Sequence, residues 1–84
     1  MFEAKIIVTL RSSILDPQGS AVATSLQSLS YPVPEVRIGK YMELTLQASD
    51  EQEATALLQI ICQKVLANPV MEDYRILQLT RKEE

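Results

Sequence analysis

Carboxylates are the only plentiful groups in this chain that could exchange a proton near neutral pH. Its 84 residues hold 11 acidic side chains, one cysteine and no histidine. Without histidine, the commonest general base, metal ligand and pH switch are all missing. The acidic residues gather at Glu51/Glu53 and at Glu72/Asp73. The first pair opens an apolar-periodic run, where negative charge stabilises the positive end of a helix dipole. The second precedes a strand-like run, where solvation accounts for it. Neither pair has the look of an acid–base couple in a cleft. Cys62 falls on the apolar side of the helical run and reads as a small buried hydrophobe rather than a nucleophile. Arg37-Ile38-Gly39-Lys40 joins two cations to a glycine but lacks the spacing of a phosphate-binding loop. The chemistry expected of these residues is recognition, with no reaction of their own.

The elements that position them follow from periodicity. Phe2, Ala4, Ile6, Val8 and Leu10 alternate with Glu3, Lys5, Thr9 and Arg11, which predicts a first strand with one buried face. Ile7 breaks the polar side, so that face is either partly covered by a partner or carries one exposed isoleucine. Asp16-Pro17 predicts a helix start, with an accepting carboxylate at the cap and a proline where no N–H is needed. That helix runs to about Leu29 on a thin stripe of Val22, Leu26 and Leu29. Gly19 in its first turn is a poor helix former. It marks either a close approach by another group or a tolerated glycine.

After Pro32 and Pro34, which hold their neighbours extended, comes the stretch Val36 to Leu46. Val36, Ile38, Met42, Leu44 and Leu46 all lie at even positions. Three geometries fit the interruption at Gly39-Lys40. A two-residue loop mixes the faces. A three-residue loop pairs Ile38 with Met42 and Val36 with Leu44. One long strand bent at Gly39 keeps the same parity, and then a second copy would have to complete each sheet.

Ser49 with Gln52 forms a capping box, and Asp50 with Glu53 a close variant of one. Ala54, Leu57, Leu58, Ile61, Cys62, Val65 and Leu66 then recur at helical spacing. This face is the main core supplier, at about 1.5–3 kcal/mol for each large side chain buried. Asn68-Pro69 ends the helix. A last strand runs from about Tyr74 to Thr80, with apolar residues on both faces, and Arg81 to Glu84 is expected to fray. The order is α+β: a two-layer β-α-β-β-α-β unit, an antiparallel sheet with two helices on one face, and exchange of segments between two copies left open.

Composition bounds the rest. The chain is 46% hydrophobic and 23% charged, with two Gly and four Pro, which fits one globular domain over 1–84. A chain of this size buries only about 60–65% of its unfolded surface, and oligomerisation is a common remedy. A net charge of −3, a pI near 4.9 and scattered Lys and Arg argue against nucleic-acid binding. No apolar run approaches the roughly 20 residues of a membrane span. β structure begins at once, so no signal peptide is expected. A single cysteine cannot form an internal disulfide, and a cytoplasmic location is expected.

Three stretches go further: Ile14-Leu15-Asp16-Pro17-Gln18-Gly19, Val36-Arg37-Ile38-Gly39-Lys40-Tyr41-Met42-Glu43-Leu44, and Leu66-Ala67-Asn68-Pro69-Val70-Met71-Glu72-Asp73-Tyr74. Together they closely resemble the PurS family, small subunits of phosphoribosylformylglycinamidine (FGAM) synthase, over nearly the whole chain. The resemblance implies a role in the fourth step of purine biosynthesis. There a synthetase subunit, PurL, uses ATP and Mg²⁺, and a glutaminase subunit, PurQ, releases ammonia. It implies a homodimer or tetramer that joins the two and supports ammonia transfer, with no cofactor bound by this chain. Asp16, Gly19, Arg37, Gly39, Lys40 and Tyr41 stand at matching places and are the candidate interface residues. For Arg37, Lys40 and Tyr41 the alternative is that they are simply solvated strand residues. The competing function is an ACT-like small-molecule-binding regulatory module.

Overall fold

The structure, a computed structural model, describes residues 1–82. Strand β1 (Phe2–Leu10) is central, flanked by β2 (Gly39–Leu46) and β3 (Glu72–Arg81), both antiparallel to it. Helix α1 (Pro17–Ser28) follows β1. Helix α2 (Glu51–Ile61) follows β2 and continues as a π-turn, Cys62–Leu66. The antiparallel α+β architecture is as expected, but the sheet has three strands where the β-α-β-β-α-β order has four.

The missing strand is the Val36–Ile38 part of the expected β stretch, which is not in strand conformation, and neither hairpin forms at Gly39. Gly39 opens β2 opposite Thr9, and its φ is not in the left-handed region. Its lack of a side chain serves close approach instead. A Cβ there would lie 2.6 Å from the Val8 carbonyl oxygen. The residues before it run on away from the sheet beside α1.

The core follows the alternation of β1. Phe2, Ala4, Ile6 and Val8 are fully buried against Ala54, Leu58 and Cys62 of the α2 region, with Leu46 and Ala67 completing the cluster. Asp50 caps α2 by accepting the Glu53 N–H at 2.7 Å. The Asp50/Glu53 variant is therefore the cap that forms. Ser49 spends its hydroxyl on the Glu53 carboxylate rather than on a box with Gln52. The apolar face expected beyond Cys62 is only partly used. The wider π-turn falls out of step with the 100° spacing, and Val65 is 75% exposed.

Strand β3 is two residues longer at its start, and one at its end, than its alternation predicts. Its pairing shifts between Lys5↔Gln78 and Ile6↔Ile76. Leu77 is the extra residue of this bulge, which is why its apolar residues read as two-faced. Arg81 was expected to fray. It belongs to the strand, with its guanidinium 4.9 Å from the Phe2 ring centre, and the Lys82 N–H bonds the Met1 carbonyl. The rest of the expected tail, Glu83 and Glu84, lies outside the described residues.

Helix α1 ends in a Schellman arrangement. The Tyr31 N–H reaches the Leu26 carbonyl and the Ser30 N–H the Gln27 carbonyl, with Ser30 at φ 69°. The helix packs chiefly against the segment that follows it. Gln27 Nε2 donates to the Val33 carbonyl at 3.0 Å, and Ala23 is buried. Residues 12–38 thus form an arm. The molecule measures 52 × 28 × 13 Å with a radius of gyration of 16.5 Å, against about 12 Å for a compact chain of this length.

Candidate functional site

Asp16, Gly19, Arg37 and Gly39 meet at the root of this arm, and Ile38 joins them. Asp16 is the N-cap of α1 and is 5% exposed. Its Oδ1 accepts the Gly19 N–H at 2.9 Å, as a cap should. Its Oδ2 accepts the Ile38 N–H at 2.7 Å, a tie across 22 residues. Those two bonds, the Ile38 one first, and the nearby Arg37 charge hold the Asp16 carboxyl below the ordinary carboxylate range against the opposing effect of burial.

Arg37 closes the same joint from outside. Its Nη2 donates to the Leu10 and Arg11 carbonyls, each at 2.9 Å, and Nη1 donates to the Ile14 carbonyl at 3.3 Å. These carbonyls lie where β1 ends and the connection to α1 begins; that of Arg11 also accepts the Ile14 N–H. Gly19 explains itself here. A Cβ would lie 2.1 Å from the Val36 carbonyl oxygen, so the glycine exists to let α1 meet the 36–38 backbone. Of the two readings open for Gly19, close approach is the one observed. A groove of about 590 Å³ runs above the joint, between Ile14, Asp16, Ala23, Gln27, Val36 and Arg37.

Lys40 borders the joint, with Nζ 4.0 Å from Glu72 Oε2. Tyr41 stands apart on the outer face of the sheet, opposite Ile7. Its hydroxyl donates to Glu43 Oε2 at 2.9 Å, and that bond pushes the phenol above its usual pKa. Burial does the same to the Cys62 thiol, which is inert in the core.

The sequence gives no sign of what Arg11 does, and it reads Glu72, with Asp73, as a solvated pair; the structure ties both residues down. Arg11 donates to the Pro69 carbonyl at 2.6 Å and faces Asp73 at 3.4 Å. Glu72 accepts the Asn68 N–H at 2.7 Å besides facing Lys40. Their partners lie far off in sequence or on the next turn, and a lone charge at a strand end gives no signal of either.

The joint offers little chemistry. Both Asp16 oxygens accept backbone N–H groups, the Arg37 guanidinium is committed to carbonyls, and among the described residues no buried side-chain nitrogen or oxygen lacks a partner. Among those residues no group of three or more His, Cys, Asp or Glu is placed to hold a metal ion, and no helix is long and apolar enough to cross a membrane. The arrangement fixes the direction of the arm.

The ionised Asp16 is worth most to the fold above its unfolded pKa near 3.9, and its contribution is lost as pH falls through the lower folded value. Asp16→Asn is therefore expected to be less stable than the parent chain at pH 7. The gap should narrow as pH drops below about 4. Thermal unfolding of both chains from pH 7 to 3 checks this, and a gap that widens in acid contradicts it.

The family described as "PurS: Phosphoribosylformylglycinamidine (FGAM) synthase" matches residues 3–79. The phosphoribosylformylglycinamidine synthase subunit PurS of Bacillus subtilis is 53% identical over 76 residues, covering 89% of each chain. A crystal structure of B. subtilis PurS superposes with a TM-score of 0.84 at 49% identity, covering 96% of this chain and 100% of that one. A chain in the structure of PurLQS from Thermotoga maritima has a TM-score of 0.79 at 29% identity, covering 90% of this chain and 95% of that one. With the match spanning nearly every element from β1 to β3, and with the joint residues inside it, the chain belongs to the PurS family.

Proposed function

We propose that this chain is the small, non-catalytic subunit of phosphoribosylformylglycinamidine synthase, working in the cytoplasm in the fourth step of purine biosynthesis. It joins a PurL-type synthetase subunit to a PurQ-type glutaminase subunit and supports transfer of ammonia between them. It does so as a homodimer or a tetramer. ATP and Mg²⁺ are used by the complex and not held by this chain. The observation that carries the reading is the match to PurS chains along nearly the whole length, one of them in a PurLQS structure. The joint supports it, because a polar cluster committed to its own backbone suits a scaffold better than a reaction centre.

The test is glutamine-dependent synthesis by the two large subunits with and without this chain. Omitting it should lower that rate by about tenfold or more, equivalent to about 1.4 kcal/mol or more. Synthesis from added ammonia should fall much less, since free ammonia bypasses the transfer. Equal glutamine-dependent rates with and without the chain defeat the reading. Arg37→Ala should impair assembly with the large subunits more than Lys40→Ala. Arg37 holds three carbonyls, whereas the Lys40 ion pair is exposed and long. A pull-down in which both variants assemble fully, with normal glutamine-dependent activity, rules out an interface role for this region.

A further inference from the structure

The turn at residues 68–71, between the π-turn and β3, is held by hydrogen bonds and not by burial. Pro69 is exposed, as are Val70 at 75% and Met71 at 43%. A cavity of about 210 Å³ lies beside it, between Arg11, Gln63, Pro69 and Tyr74. Asn68 builds the turn itself. Its carbonyl accepts the Met71 and Glu72 N–H groups, and its side chain accepts the Val70 N–H at 2.9 Å. A different set of bonds fixes the turn against the rest of the chain, and they meet at Arg11.

Arg11 makes ties in two directions. Toward the turn, its backbone N–H donates to the Met71 carbonyl at 2.9 Å and its Nη2 to the Pro69 carbonyl at 2.6 Å, while Nε stands 3.4 Å from Asp73 Oδ1. Toward the arm, its carbonyl accepts Arg37 Nη2 at 2.9 Å. The contacts therefore run from the arm through Arg37, through Arg11, to Pro69. A second route passes from Lys40 to Glu72, whose carboxylate accepts the Asn68 N–H. Its ion pair is 4.0 Å long and Lys40 is 68% exposed, so this route carries little. A guanidinium donating to a carbonyl makes a charge-assisted bond, stronger than a neutral one. The planar fork of arginine also reaches two acceptors at once, as an ammonium does not.

We propose that Arg11 is a positioning residue of the subunit: its side chain clasps the 68–71 turn to the root of the arm, so that turn and arm meet the large subunits as one preformed surface. The inference rests on the subunit role proposed above and adds a residue to it. A clasp of this kind acts on affinity. While it holds, assembly does not have to order the turn against the arm. Without it, that ordering cost falls on the assembly step. The assembled complex is the same in both cases, so the rate at saturation is not what Arg11 sets.

The test is a titration of this chain into the two large subunits, read as glutamine-dependent synthesis. Arg11→Met keeps the aliphatic stem and removes every donor of the side chain. It should raise the amount of chain needed for half-maximal synthesis by about tenfold, and saturating amounts should bring the rate to within about twofold of the parent's. Arg11→Lys, with one ammonium in place of the fork, should fall between the two. A purely local stabilising role would not couple Arg11 to Arg37. The Arg37→Ala/Arg11→Met double variant should be no more than about twofold worse than Arg37→Ala alone, because the clasp transmits nothing once the arm has released the Arg11 carbonyl. Losses that multiply in the double variant overturn the inference. So does an Arg11→Met titration that coincides with the parent's, or a lowered plateau at an unchanged half-point. If Arg11→Met fails to fold by circular dichroism, Arg11→Lys, alone and with Arg37→Ala, decides by the same comparisons. If the parent chain itself gives no gain in glutamine-dependent synthesis, the subunit reading falls and this inference with it. If the parent gives the gain and the variants titrate like it, only this inference falls.

Discussion

Leu58→Ala should cost about 2–5 kcal/mol of folding stability, the range for a large-to-small change in a core that cannot collapse around the gap. Leu58 has 0% of its surface exposed and lies in the cluster of Phe2, Ala4, Ile6 and Val8. Its neighbours one turn away on either side, Ala54 and Cys62, are small and fully buried too. Leu58 is therefore the one large side chain with which α2 fills the space above β1, and nothing adjacent is long enough to replace it. For a domain of this size, 1 kcal/mol moves the melting temperature by about 4–8 °C, so a fall of about 10 °C or more is expected. Leu57→Ala, one position round the helix and 36% exposed, should cost far less. Because a self-associating chain melts in a concentration-dependent way, the comparison needs equal protein concentrations. Similar losses for the two variants would mean that α2 buries a different face in solution.

The contrast between Leu58 and Val65 shows what the sequence made legible. The periodicity that marks Ala54, Leu58 and Cys62 as core is a property of one helix, although the buried stripe is narrower than the apolar one, since Leu57 on the same expected face is exposed. It fails at Val65 because the π-turn begins at Cys62, and no residue there announces a change of pitch. β1 was legible for the same reason as α2: Phe2, Ala4, Ile6 and Val8 obey one local rule. The 36–46 stretch was not. Its even-position parity is the same in a three-residue hairpin and in a chain that runs straight on. The choice is made by the Ile38 N–H meeting Asp16 and by Arg37 reaching Leu10, Arg11 and Ile14, contacts spanning 22 to 27 residues. The candidate site was legible in its parts for the same reason. Asp16 was readable as a helix cap, which it is. That its second oxygen ties down β2's approach is a fact about two distant segments.

Gly19→Ala should destabilise the chain by about 1–2 kcal/mol, although alanine is the better helix former. On propensity alone, alanine within a helix gains about 0.5–1 kcal/mol over glycine. Against this stands the packing. The new methyl group would be 2.1 Å from the Val36 carbonyl oxygen, 2.9 Å from its carbonyl carbon and 2.8 Å from Asp16 Oδ2. Two of these are backbone atoms, and the third is a carboxylate already held by the Gly19 and Ile38 N–H groups. Overpacking of this kind costs about 1–3 kcal/mol, more than the helix gains. The strain is relieved only if α1 and the 36–38 segment move apart, which stretches the Asp16–Ile38 bond and frees the arm. The variant should therefore lose more in dimer formation and glutamine-dependent synthesis than its melting temperature alone would explain. Leu58→Ala weakens the core and leaves the joint intact, so it should show the reverse balance. If Gly19→Ala raised the melting temperature and left assembly unchanged, α1 and residues 36–38 would not be in contact, and the fixed direction of the arm would have no physical basis.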